Sequence, residues 1–505
     1  SACARINRIS SAHSPLTAPI LSMSQPNILL FLMDGAQGRL MRPEHPCHTP
    51  HFDRLAERGM RFSRAYTPAP TCSPARASLM TGLLPHNHGV LQVEHAVDAD
   101  QCLLRSDRAH WAQHLAQVGY TTGYFGKWHV ERSDALENFG WQAHRVLGRG
   151  AHRAHSKQGG GSDVPLDPAL THYLEGPDGY NPILHYGVTD VSPAERTMGQ
   201  TAREALHFLR ENAASRQPWC CCVSYYEPNE AMIASRAAFE RANPAEISLP
   251  ETLLDDLSDR PNWYRRQQQI FAGISEEQWR TARACYYGRL SELDEQFGLL
   301  IDYLEASGQL ESTVVIATAD HGKYVGSHGM DGHNFGPFEE VYNIPLVAAG
   351  PGIAQRVETD ARVGLHAVGP TLLEWAGANP LPDIDAASFA ELCAEPTRAN
   401  RHTEGFAENH GNRFALSQRI LWDEEWKLAF NGFDFDELYN LDLDPNETHN
   451  RAADPECAET LRALTTKMWG YIRDSGDQSL FNSHYYTMRT AAVGPNAAKR
   501  DGDLP

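Results

Sequence analysis

"NILLFLMD", Asn27–Asp34, is the stretch that decides how this chain folds. Six consecutive apolar residues run from Ile28 to Met33 and stop at an acid. There is no alternation, so one face is not reserved for water. A continuous apolar run of this length reads as a strand buried on both faces of a parallel sheet. "STVVIATAD" (Ser312–Asp320) has the same form, with more β-branched residues. "YTTGYFGKWH" (Tyr120–His129) and "PWCCCVSYYEPN" (Pro218–Asn229) also pass from strand-like residues to polar ones. Helical patterns lie between, as in "HFDRLAERGM" and "ERTMGQTAREALHFLRENAAS". Alternating strand and helix predicts an α/β fold, a large doubly wound sheet flanked by helices.

In such a sheet, ligands bind beyond the carboxyl ends of the strands. Asp34, Lys127, His129, Asn229, Asp320 and His321 all fall just there. Their convergence carries more weight than any one of them.

The 505 residues are 41% hydrophobic, enough for a sizeable core. The net charge is −20, from 44 basic and 64 acidic residues. That balance argues against nucleic acid as a partner but leaves room for a small anion at a locally positive site. No apolar run approaches the roughly 20 residues of a membrane span. The first residues contain basic side chains but no continuous apolar segment, so a signal peptide is not read there, and Met23 is the candidate start. Ten cysteines show no CxxC pair and no zinc spacing, and the run Cys220-Cys221-Cys222 suits a reducing, cytoplasmic setting.

The expected organisation is an N-terminal extension over 1–23, a catalytic domain over 24–385, a smaller α+β subdomain over 386–478 and a polar tail over 479–505 suited to an oligomer contact. The Gly-, His- and Pro-rich residues 143–190 read as a long functional loop or lid. Its His144, His152 and His155 read as solvated before they read as ligands, and His185 and Tyr186 are candidate pocket residues.

"TPAPTCSPARASLMTG" (Thr67–Gly82) holds Cys72 between prolines, with Arg76 four residues on. Ser and Pro followed by helix formers and a glycine predict a helix, with Cys72 at its N-terminus, where unpaired N–H groups favour anions.

The run "CSPAR" followed by "ASLMTG" resembles the signature of the type I sulfatases, formylglycine-dependent members of the alkaline phosphatase superfamily. "PNILLFLMDG", "TPHFDRLAERGMRFSRAYTPAPTCSPAR", "GYTTGYFGKWH", "ATADHG" and "FDELYNLDLDPNETHN" resemble further motifs of that family, across roughly residues 24–470. The resemblance implies an alkaline phosphatase-like fold and a sulfuric ester hydrolase. It implies that Cys72 is oxidised to Cα-formylglycine by a maturation enzyme. The hydrated aldehyde would attack sulfur with one hydroxyl and release the anion when the other loses its proton, a release step serine lacks.

The resemblance further implies one divalent cation at Asp34, Asp320, His321 and the modified Cys72. Oxygen-rich ligation suits calcium, with manganese and magnesium as alternatives. It gives Lys127 the sulfate oxygens, His129 the proton of the second hydroxyl, and Arg76 the diol and the charge around it.

Three departures stand out. Gly35 occupies the place of a second metal acid, and Gln37 is the nearest amide that could reach in. Asn229 stands where the family commonly has a histidine; an amide donates a hydrogen bond but delivers no proton. A substrate-side lysine gives way to His333 or Asn334 within "GMDGHNFGPFEEVYNIPL". Asn229, His333 and Asn334 are therefore the candidate substrate-binding residues, with His333 the candidate leaving-group acid. The altered substrate side keeps a phosphonate monoester or phosphodiester hydrolase as the alternative activity. A two-metal phosphatase conflicts with Cys72, and a non-catalytic binding protein conflicts with the retained set.

Overall fold

The computed structural model describes residues 25–95, 97–105, 107–148, 164–229, 231–481, 486 and 489–498. The extension 1–23, His152, His155 and much of the tail lie outside the described residues.

In chain order the strands are β1 (Asn27–Asp34), β2 (Gly59–Tyr66), β3 (Thr121–Gly126), β4 (Ala143–Val146), β5 (His172–Leu174), β6 (Ile183–Thr189), β7 (Trp219–Pro228) and β8 (Met232–Ser235). They continue with β9 (Thr313–Ala319), β10 (Asn343–Ala349), β11 (Val357–Thr359), β12 (Val363–Gly364), β13 (Glu404–Asn409), β14 (Gln418–Asp423), β15 (Trp426–Asn431) and β16 (Glu437–Asn440). A nine-stranded sheet runs β11-β2-β10-β9-β1-β7-β3-β4, with β12 also on β2. β1 pairs parallel with β7 and β9, and β3 pairs parallel with β7 and β4. β10 is antiparallel to β2 and β9, which makes the sheet mixed.

β1 lies at the centre, and residues 28–34 are fully buried. That is why its sequence shows no alternation. The three cysteines of β7 are buried too and serve as small apolar residues. Helices Thr197–Asn212 and Glu276–Ala306 pack against this sheet. The latter spans 31 residues and starts at a capping box of Ser275 and Gln278, which satisfies backbone N–H groups at the helix start.

Residues 143–190 are not one long loop. They hold β4, β5 and β6, and β5-β6-β8 form a separate three-stranded sheet. The Gly- and Pro-rich composition masked short strands, and β6 finds its second partner, β8, only beyond the next helix and strand.

β13-β14-β15-β16 form an antiparallel sheet, and "RILWDEEWKLAF" is its central hairpin. Helix Ala458–Ser475 buries Leu464, Met468, Trp469 and Ile472 against Leu421, Leu428, Phe430 and Leu438. Among the described residues, no helix is long and apolar enough to cross a membrane.

Candidate functional site

Three neighbouring parallel strands end together. Asp34 closes β1, Asn229 follows β7 and Asp320 follows β9. The Asn229 N–H donates to Asp34 O at 2.9 Å, and the Asp320 N–H donates to Met33 O at 3.1 Å. Facing these ends is helix α1 (Cys72–Thr81), with Cys72 as its first residue. Pro74 fits the first turn because its missing N–H has no intrahelical partner there. Gly82, at φ +72°, ends the helix in the left-handed region. Every residue from Cys72 to Thr81 is buried, so the helix is fixed on all sides.

Asp34, Cys72, Asp320 and His321 each offer one ligand atom, and these atoms lie within 4.8 Å of one another. Cys72 Sγ is 3.1 Å from His321 Nε2 and 3.8 Å from Asp34 Oδ1. His321 Nε2 is 3.6 Å from both Asp34 Oδ1 and Asp320 Oδ1. Its Nδ1 lies 2.8 Å from the Gly322 carbonyl, which can only accept, so the proton sits on Nδ1. The Nε2 lone pair therefore faces the cluster, the tautomer a ligand needs. Two carboxylates, an imidazole nitrogen and the Cys72 position, all buried, fit a divalent cation.

Electrostatics keep the Asp320 carboxylate charged. Burial opposes the charge on Asp320, but His321, Arg76 and Lys127 hold its carboxyl below the ordinary range. Burial lowers the pKa of His321 against the pull of Asp320, which favours the neutral ligand form. Arg76 Nε donates to Asp320 Oδ2 at 2.7 Å, and its Nη2 is 3.6 Å from Asp34 Oδ2. Its Nη1 donates to Ser224 Oγ at 2.7 Å. Lys127 Nζ also donates to Asp34 Oδ2, and lies 5.0 Å from the centre of the Tyr226 ring. Both cations thus sit on Oδ2 of Asp34, and Oδ1 turns toward His321 and Cys72.

His129 follows β3 in the left-handed region, at φ 54°. Its Nε2 is 3.0 Å from His95 Nδ1 and 4.0 Å from Glu94 Oε1. The backbone N–H of Glu94 donates to Ser73 Oγ at 3.1 Å, which ties this histidine pair to the cysteine helix. Neither Glu94 nor His95 belongs to a motif; only their spatial neighbours mark them.

His333 stacks on His321 with ring centres 4.0 Å apart, and its Nε2 is 3.8 Å from Cys72 Sγ. Burial, then His321 and Lys323, push its pKa well below the usual value. Asn334 accepts a hydrogen bond from Thr71 Oγ1 at 2.5 Å, immediately before Cys72. The loop carrying both is pinned by Asp331, which accepts from Lys323 Nζ at 3.0 Å and bonds His185 Nε2 at 2.8 Å. His185 is thus a buried strut, packed against Trp279, and Tyr186 is buried as well. Lys323 escaped the sequence reading because it follows the "DHG" motif as an ordinary loop residue.

One expectation needs correction. Gln37 does not reach in: its amide Nε2 donates to the carbonyls of Lys323 and Tyr324, and its Oε1 accepts from Arg39. His144 is not a ligand of this centre; it lies on β4 with Nε2 3.1 Å from Glu137.

A large mixed sheet flanked by helices, with a small antiparallel sheet near the C-terminus, is the alkaline phosphatase-like fold. Residues 26–378 match the family model described as Sulfatase, so the chain belongs to the sulfatase family and is a hydrolase of sulfate esters. It is 29% identical over 462 residues to the choline-sulfatase of Rhizobium meliloti, covering 86% of this chain and 84% of that protein. The phosphonate monoester hydrolase SpPMH from Silicibacter pomeroyi superposes with a TM-score of 0.74 at 21% identity, covering 92% of this chain and 98% of that one. The structure of BT4656 in complex with D-glucosamine-2-N,6-O-disulfate gives 0.73 at 20% identity, covering 90% and 99%. Family members generally use a divalent metal and a formylglycine.

Proposed function

We propose that the chain hydrolyses a small-molecule sulfate monoester, with Cys72, matured to formylglycine by a partner enzyme, as nucleophile. The observation that carries this reading is Cys72 at the first position of a buried helix, 3.1 Å from His321 and 3.8 Å from Asp34.

One hydroxyl oxygen of the hydrated aldehyde bonds to sulfur as the sulfur–oxygen bond to the alcohol breaks. The proton lost by that hydroxyl balances the one with which the alcohol departs. His129 then takes the proton of the second hydroxyl, the carbon–oxygen bond to sulfate breaks, and the aldehyde is restored. Asp34, Asp320, His321 and residue 72 would hold the cation, calcium being the best match to the oxygen donors. When bound, that ion would polarise a substrate oxygen and lower the pKa of the diol. Lys127 and Arg76 supply fixed positive charge for the transferring group, while His333 and Asn334 line the substrate side.

Nine described cysteines are buried and none forms a disulfide, which supports a cytoplasmic setting. Residues 24–385 carry the chemistry in this reading, and 386–478 form a supporting subdomain.

The test is turnover of nitrophenyl sulfate, choline sulfate and nitrophenyl phosphonate and phosphodiester substrates by protein made with a maturation enzyme. Sulfate esters should be turned over fastest, and Cys72→Ala should abolish activity. Near-normal activity in Cys72→Ala would sink the mechanism; a preference for phosphonates would move the chain to the alternative chemistry.

A further inference from the structure

We infer that Asn229 supplies the cation ligand that Gly35 lacks, through its side-chain oxygen. The inference rests on the reading that the Asp34–Asp320–His321 centre binds a divalent cation.

The amide of Asn229 lies against the centre. Its Nδ2 donates to Asp34 Oδ1 at 2.7 Å, the oxygen that faces Cys72 and His321. Its Oδ1 is buried and has no hydrogen-bond partner among the described residues. An unmatched buried carbonyl is costly, and such groups in a native fold call for an explanation.

The position fits the missing side chain. A Cβ built on Gly35 would fall 3.1 Å from Asn229 Cβ, 3.2 Å from Cγ and 3.3 Å from Oδ1. Asn229 therefore fills the space in which a side chain at residue 35 would start. Gly35 also stands at φ +71°, a conformation that suits glycine. The two positions compete for one volume, and this chain gives it to Asn229.

The backbone around the amide is fixed. Arg289 Nη1 donates to Asn229 O at 2.5 Å, and Tyr286 Oη donates to Gly35 O at 2.7 Å, both from the long helix Glu276–Ala306. Movement is left to the side chain. A half-turn about its last torsion exchanges nitrogen and oxygen and brings Oδ1 to the place Nδ2 now holds beside Asp34 Oδ1. Two bare oxygens that close repel, so without a cation the amide donates. Oxygens coordinated at about 2.3–2.6 Å to one calcium ion sit roughly 3 Å apart, so with a cation the exchanged orientation is favoured.

The test is calorimetric titration of calcium and of manganese into the chelator-treated full chain, for the wild type, Asn229→Ala and Asn229→Asp. Thermal unfolding of each metal-free protein serves as the folding control. Asn229→Ala should weaken cation binding about tenfold or more. Asn229→Asp should bind at least as tightly as the wild type, while its metal-free form melts lower because a second carboxylate then faces Asp34. A crystal structure with calcium should place Asn229 Oδ1 within about 2.3–2.6 Å of the ion. Unchanged binding in a folded Asn229→Ala, or calcium bound with Asn229 Nδ2 still on Asp34, overturns the assignment and leaves the metal centre standing. No cation binding by the wild type overturns both.

Discussion

Arg76 Nε donates to Asp320 Oδ2 at 2.7 Å, and neither side chain has any exposed surface. The bond joins the cysteine helix to the end of β9, so Arg76 fixes a strand-end carboxylate. Removing one partner of a buried pair leaves a buried charge uncompensated, at about 3–5 kcal/mol. Arg76→Ala should therefore lose about that much stability in urea unfolding, beyond any loss of turnover. Arg76→Lys keeps the charge but not the fork that also reaches Ser224, and should fall between. A stability within about 1 kcal/mol of wild type in Arg76→Ala would contradict this reading.

Gly35→Asp should not repair the centre. The sequence suggests an empty ligand position, but an added Cβ meets Asn229 Cβ at 3.1 Å on a backbone with φ +71°. The left-handed conformation alone costs about 1–2 kcal/mol for a residue with a side chain. Gly35→Asp should lower the melting temperature without tightening cation binding. Adding Asn229→Gly to it, which removes the Cβ, Cγ and Oδ1 that the new side chain meets, should recover part of that stability. Tighter binding by the single variant with no thermal cost would show that the space is larger than it is here.

His333 should act as a neutral hydrogen-bond donor. Burial and the adjacent His321 and Lys323 oppose its protonation. His333→Ala should slow nitrophenyl and alkyl sulfates alike, by about 10–100-fold, the worth of one hydrogen bond to a charged group. A loss confined to alkyl esters would instead identify a general acid, since only poor leaving groups need the proton.

A pH effect on stability is expected far from the reacting atoms. His86 Nδ1 lies 2.5 Å from Glu408 Oε1 on β13, and Nε2 lies 3.1 Å from the Ser475 carbonyl. Both partners accept, so both ring nitrogens should carry protons. Burial works against that charge, but Glu408 raises the pKa to about 9. Arg419 pairs with Asp477 at 2.6 Å beside the same carboxylate, and His410 lies 2.9 Å from it. A folded pKa above the unfolded value of about 6.5 gives stability that is complete below pH 6.5 and is lost as pH rises through 9. The wild type should lose about 3 kcal/mol relative to His86→Gln between those limits. Parallel pH profiles in urea unfolding would refute the assignment.

The sequence alone determined the sheet, the strand ends and the helix that begins at Cys72. Those features are local: a short uninterrupted apolar run such as Ile28–Met33, stopped by an acid, reads as a doubly buried strand, and Ser73-Pro74 followed by helix formers and Gly82 marks a helix. What surrounds the cysteine was not local. Residues 143–190 lacked long strands, and their pairing with β8 depends on residues about fifty positions away. Glu94, His95 and Lys323 carry no spacing signal, because they meet His129 and Asp331 only when the chain has folded. Gly35 read as a gap because sequence shows which side chain is absent and not what fills its volume. Only the packing of β7 beside β1 brings Asn229 there, since side-chain volume is shared across strands and not along them.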